Sequence, residues 1–128
     1  MTRLIQAAIE ARLHAHAPYS RFQVGAALES DDGRIFCGCN VESSSYGLTV
    51  CAERVAAFQA IAQGARRFRR IVVATDVPKP APPCGACRQV LWDLCGDIEI
   101  TLVNLAGDTQ TIALSALFPR PFDDHSMA

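Results

Sequence analysis

An α/β fold, a mixed sheet with helices packed on it, is what this chain predicts, and three observations carry the expectation. Short runs rich in β-branched residues alternate with segments of helical apolar spacing, in the order α-β-β-α-β-α-β-β-α. Hydrophobic residues make up 50% of the 128, enough for one core. No internal repeat or domain break interrupts the order, so residues 1–128 read as a single catalytic-sized domain.

Each element has its own signal. Within residues 2–15, Leu4, Ile5, Ala8, Ile9 and Leu13 fall at helical spacing, and Pro18 closes the pattern. His14 and His16 stand two apart, the wrong spacing for one helix face, and read as surface or helix-end residues. Residues 23–28 form a strand, Asp31-Asp32-Gly33 turns it, and residues 34–39 return as its hairpin partner. Residues 40–49, polar and rich in Ser, read as a loop suited to contacting a substrate. Thr49 is placed to cap a helix over residues 51–64, with Gly64 as its stop. Residues 70–75 are a buried strand. Residues 76–83 hold four prolines and must be extended. A helix over 84–96, a strand over 98–103, a turn at Gly107-Asp108, a strand over 109–112 and a short helix over 115–118 complete the chain before a Pro-rich tail.

The chemistry concentrates in Cys51-Ala52-Glu53 and Pro83-Cys84-Gly85-Ala86-Cys87. Cys84 and Cys87 are three apart, so on a helix they share a face. A soft divalent metal such as zinc favours thiolates, and three of them leave a fourth position for water. Glu53, two residues past the first thiolate, is the candidate general base. Both elements start helices, whose N-termini offer partial positive charge to thiolates and lower cysteine pKa. Arg54 is placed to donate to a thiolate and offset excess negative charge. That leaves Cys37, Cys39 and Cys95, which read as buried small hydrophobes. The competing reading has one of them completing a closed four-thiolate structural site, and Glu53 would then have no function.

Composition narrows the classes. The formal net charge is −1, which does not suggest a polyanion partner. Arg66, Arg67, Arg69 and Arg70 cluster between a helix and a strand and read as a solvated helix end, not as a nucleic-acid surface. No apolar run approaches the roughly 20 residues of a membrane span, and the N-terminal helix lacks an apolar signal core. A cytoplasmic address without membrane attachment is the expectation. That compartment and the Cys-x-x-Cys spacing favour metal over disulfides.

The two cysteine motifs resemble the zinc-dependent nucleobase deaminase superfamily, including its three-cysteine variant. Phe22-Gln23-Val24-Gly25-Ala26-Ala27, Gly38-Cys39-Asn40-Val41-Glu42, Ser45-Tyr46-Gly47-Leu48-Thr49 and Pro83 through Val90 look like the cytidine deaminases that act on free nucleosides. The likeness covers about residues 4–122, and its short length and Cys51 resemble the homotetrameric type. It implies a three-layer α/β/α sandwich around a five-stranded mixed sheet. It implies one zinc per chain on Cys51, Cys84 and Cys87, with Glu53 as proton shuttle. Asn40 and Glu42 would hold the ribose, Phe22 would lie against the nucleoside, and the amide of Ala52 would meet the base carbonyl. Phe122 would close the site of a neighbouring subunit, although Asp123-Asp124-His125 departs from the family's usual ending. The implied reaction is hydrolytic deamination of cytidine and deoxycytidine to uridine and deoxyuridine plus ammonia, in pyrimidine salvage. Three other readings stand beside it. A blasticidin S-type deaminase would lack the Asn40-x-Glu42 pair. A base-editing deaminase would use the arginine cluster. A zinc-stabilised module would have no activity.

Overall fold

Successive side chains of a strand point to opposite faces, and the central strands are buried on both, which sets the layers. The computed structural model describes residues 1–127. It has five strands, β1 (Gly25–Ser30), β2 (Ile35–Cys39), β3 (Phe68–Thr75), β4 (Glu99–Asn104) and β5 (Thr109–Ala113), in one sheet of order β2-β1-β3-β4-β5. β3 and β4 are parallel; the other neighbours are antiparallel. The helices are α1 (Thr2–Arg12), α2 (Ala52–Ala62), α3 (Gly85–Cys95) and α4 (Leu114–Leu117).

Ala26, Leu28, Ile71, Val73, Ile100 and Leu102 face α2 and α3 and form the larger core with Ala56, Ala60 and Leu91. Ala27, Val72, Ala74 and Val103 face the other way and pack on Leu4 and Ala8 of α1. The outcome is the three-layer α/β/α sandwich, in the element order the sequence predicts.

Two glycines set how close the helices lie. A Cβ on Gly38 would overlap the Ala52 carbonyl and the Ala56 amide of α2; one on Gly25 would overlap Ala8 and Arg12 of α1. Gly38 thereby fixes the height of the N-terminus of α2 above the sheet. The parallel pair β3–β4 has α3 between its strands in sequence and opens at its C-terminal ends, where α/β sheets place ligands. Asn104, at the end of β4, donates from Nδ2 to the carbonyls of Val77 and Pro78 at 3.0 and 3.1 Å, which ties down the proline loop leading to Cys84.

Some boundaries differ. α1 ends at Arg12 and not at residue 15, β1 starts two residues later than expected, and β3 starts at Phe68. Thr49 does not cap α2. The cap position belongs to Cys51, held extended at φ −72° and ψ 156°, while the Thr49 hydroxyl accepts from the Ser43 amide at 3.0 Å. The chain between Thr49 and Ala52 is too extended for a hydroxyl at 49 to turn back on the first helical amides. The loop over 40–49 contains one 3-10 turn, Tyr46–Leu48, and the last helix is Leu114–Leu117, one residue earlier than expected. Ala128 lies outside the described residues.

Candidate active site

The starts of α2 and α3 meet, and they bring the three motif cysteines together. Cys84 caps α3 in the same extended conformation that Cys51 has at α2, with φ −68° and ψ 169°. Cys87 lies one turn further along α3 and is buried. The three Sγ atoms lie within 4.8 Å of one another, and Cys51 and Cys84 are 3.7 Å apart. Two sulfurs held tetrahedrally about 2.3 Å from one ion stand roughly 3.8 Å apart, so the spacing fits a single zinc with a position left over.

Electrostatics agree with a thiolate site. The bond from Cys87, then that from Arg54, draws the Cys51 thiol down to about 5. Cys87 is pushed up by the same bond to Cys51 and by burial, so the pair shares a proton that a cation would displace. Arg54 donates from Nη2 to Cys51 Sγ at 3.5 Å and to the Thr49 carbonyl at 3.4 Å. Glu53 is 4% exposed, and burial pushes its carboxyl up to about 7. A carboxylate there is poised to exchange a proton near neutrality.

A cavity of about 250 Å³ connects these groups; Phe22, Asn40, Glu42, Cys51, Glu53 and Cys84 are in its wall. Asn40 accepts from the Val24 amide at 2.9 Å and donates to the Phe22 carbonyl at 2.7 Å, so it fixes the segment before β1 that carries Phe22. Phe22 is 41% exposed, at the cavity rim. Glu42 accepts at Oε1 from the amides of Tyr19 and Ser20 at 3.0 and 3.1 Å, and at Oε2 from the Ser20 hydroxyl. These bonds, the Ser20 hydroxyl first, hold its carboxyl below the usual range. Ala52 is the first residue of α2, where amides have no carbonyl four residues back.

Phe122 does not line this cavity. It is exposed, and its carbonyl accepts from Gln89 Nε2 of α3 at 2.7 Å. Cys37, Cys39 and Cys95 stand outside the metal cluster. Among the four clustered arginines, Arg66 donates to the Ile61 and Ala65 carbonyls, Arg69 lies 4.0 Å from Asp31, and Arg70 lies 3.4 Å from Glu29.

Two further residues, Ser20 and Arg88, support the site. Ser20 holds Glu42 from 22 positions away, and no local pattern announces such a contact. Arg88 follows the second motif directly; it donates to the carbonyls of Pro83 at 2.9 Å and Leu117 at 2.7 Å, and so fixes the approach to Cys84. Its position one residue past the ligand pair was the available signal.

The class this defines is a thiolate metal centre beside a buried acid, on an α/β/α sandwich. Residues 1–101 match the model of the cytidine and deoxycytidylate deaminase zinc-binding region, and the chain belongs to that family. A cytidine deaminase of Halalkalibacterium halodurans is 52% identical over 125 residues, covering 97% of this chain and 95% of its own. One from Sporosarcina psychrophila is 43% identical over 127 residues, 98% of this chain and 93% of its own. The crystal structure of cytidine deaminase from Burkholderia pseudomallei matches with a TM-score of 0.91 at 49% identity, covering 94% of this chain and 98% of that one. Within this family the three-cysteine cluster accounts for one zinc per chain.

Proposed function

We propose that residues 1–128 act as one catalytic domain that hydrolyses cytidine and deoxycytidine to uridine and deoxyuridine with release of ammonia. The observation that carries this is the meeting, in one cavity, of the thiol cluster and Glu53 on one side with Asn40, Glu42 and Phe22 on the other. Cys51, Cys84 and Cys87 would hold zinc, whose Lewis acidity would lower the pKa of water towards about 7.

The chain's own groups do the rest. Glu53 takes a proton from the attacking water at its carboxylate and passes it to ring N3 as the hydroxyl adds to C4. It then takes the proton of that C4 hydroxyl and delivers it to the amine, which leaves as ammonia while C4 becomes a carbonyl. Burial suits it to both roles, since a carboxyl near neutral pKa gives up and accepts a proton with comparable ease. The Ala52 amide donates to the base carbonyl, and the face of Phe22 covers the ring. Asn40 and Glu42 receive the sugar hydroxyls. Arg54 offsets charge on Cys51.

Neither this cavity nor the adjoining one around Tyr19 and Tyr46 is lined by Lys or Arg, which favours a nucleoside over a 5′-phosphorylated nucleotide. The six cysteines are unpaired, in keeping with a cytoplasmic enzyme of pyrimidine salvage. No described helix is long and apolar enough to cross a membrane. The active unit is a homotetramer in which Phe122 closes a neighbour's site. Its support is that Phe122 is exposed and away from its own cavity, while Tyr46, which lines the adjoining cavity, and Leu48 on the same turn are exposed apolar side chains left uncovered.

The test is the ultraviolet absorbance of cytidine mixed with purified protein. Absorbance should fall as uridine forms, stop falling after a zinc chelator, and resume on adding zinc. No loss from zinc-loaded protein would refute the assignment.

A further inference from the structure

We propose that Ser20 is a positioning residue for substrate: its hydroxyl locks the Glu42 carboxylate and the Phe22 amide into one unit facing the cavity. The proposal rests on the assignment of Glu42 to the sugar.

The segment Tyr19–Ser20–Arg21–Phe22 is built for this. Arg21 has φ 58°, in the left-handed region that L side chains rarely occupy, and its amide bonds the Ala17 carbonyl at 3.0 Å. That turn lets two successive amides, those of Tyr19 and Ser20, reach the same Oε1 of Glu42. The Ser20 hydroxyl donates to Oε2 of Glu42, and Ser20 Oγ in turn accepts from the Phe22 amide at 3.0 Å. One hydroxyl therefore links the acidic group to the aromatic residue, and Ser20, Phe22 and Glu42 all line the cavity.

A carboxylate offers about four acceptor sites. Three are taken by the turn, so roughly one remains for a ligand hydroxyl, and its orientation is fixed before binding. Without the Ser20 hydroxyl the carboxylate regains rotation and the Phe22 amide loses its partner. The loss falls on ligand affinity, because neither group takes part in proton transfer.

The experiment compares Ser20→Ala, Ser20→Thr and Glu42→Gln on cytidine and on 2′,3′-dideoxycytidine, which lacks the 2′ and 3′ hydroxyls and keeps only the 5′. Ser20→Ala should raise KM for cytidine about tenfold, the factor a lost hydrogen bond to a charged group implies, with kcat little changed. Ser20→Thr keeps the hydroxyl and should recover most of the affinity. On the dideoxy substrate the rise should be much smaller, because only the Phe22 link is felt there. In the Glu42→Gln background, Ser20→Ala should add little. If the alanine variant does not fold, Ser20→Cys, similar in size with a weak donor, takes its place and should raise KM in the same way. Should Glu42→Gln leave KM for cytidine unchanged, the sugar assignment of Glu42 fails, and this proposal with it. If Glu42→Gln raises KM but Ser20→Ala does not, only Ser20 is refuted. An equal rise on both substrates would likewise reduce Ser20 to a structural residue.

Discussion

Cys51 and Cys84 each occupy the cap of a helix, where an extended residue turns its side chain outward beside the first unpaired amides. This is why two thiols far apart in sequence are both presented to one point, with Cys87 a turn deeper. The remaining thiols differ in kind. Cys37, Cys39 and Cys95 are half-buried, which raises the pKa of the first two and pushes Cys95 up to about 12, and none of them belongs to the cluster that Cys51, Cys84 and Cys87 form. Alanine at Cys51, Cys84 or Cys87 should therefore reduce bound zinc from one per chain towards none. Alanine at Cys37, Cys39 or Cys95 should leave it at one, as read by elemental analysis of purified protein. Loss of zinc from any of the latter three would mean a different ligand set.

Between elements, the site depends on how closely α2 approaches β2. Gly38→Ala must push α2 away from the sheet, since the new methyl would meet backbone that cannot rotate aside. The expected cost is about 1–3 kcal/mol of stability, with weaker zinc binding because Cys51 and Glu53 ride on that helix. Gly25→Ala displaces α1 by the same kind of overlap but should spare zinc affinity, because α1 covers the opposite face. Comparing denaturation midpoints with zinc affinities for the two variants checks this, and equal loss of zinc in both would show that no such division exists. The order of elements was legible in the sequence because helical spacing, β-branched runs and the turn at Asp31-Asp32-Gly33 agree with one another. The metal trio and Glu53 were legible because their spacing is short and their chemistry narrow. Thr49 departs from the cap role its residue type predicts, since its extended surroundings come from pairing between Val41 and Val50 that no local pattern reveals. The link from Ser20 to Glu42 was hidden for the same reason: it is made by tertiary structure alone.

At the scale of the whole molecule, the tail folds along α3. Trp92 Nε1 donates to Asp123 Oδ2 at 3.3 Å, and Gln89 holds the Phe122 carbonyl, which leaves the Phe122 ring exposed. If that ring closes a neighbour's site, chains carrying Phe122→Ala and chains carrying Glu53→Gln should complement each other when co-expressed, provided each variant alone is nearly inactive. Mixed assemblies then contain some sites with an intact Glu53 and a borrowed Phe122. No recovery in verified mixed assemblies would place Phe122 within its own chain or outside the site altogether. The central claim, that a buried carboxylate beside a three-thiolate zinc moves the protons of the reaction, is tested most directly by Glu53→Gln. Zinc content and cytidine turnover should be measured on the same sample. The expected result is one zinc per chain with turnover reduced by at least about 10²–10⁴-fold. A zinc-loaded Glu53→Gln protein with near-normal turnover would contradict the claim.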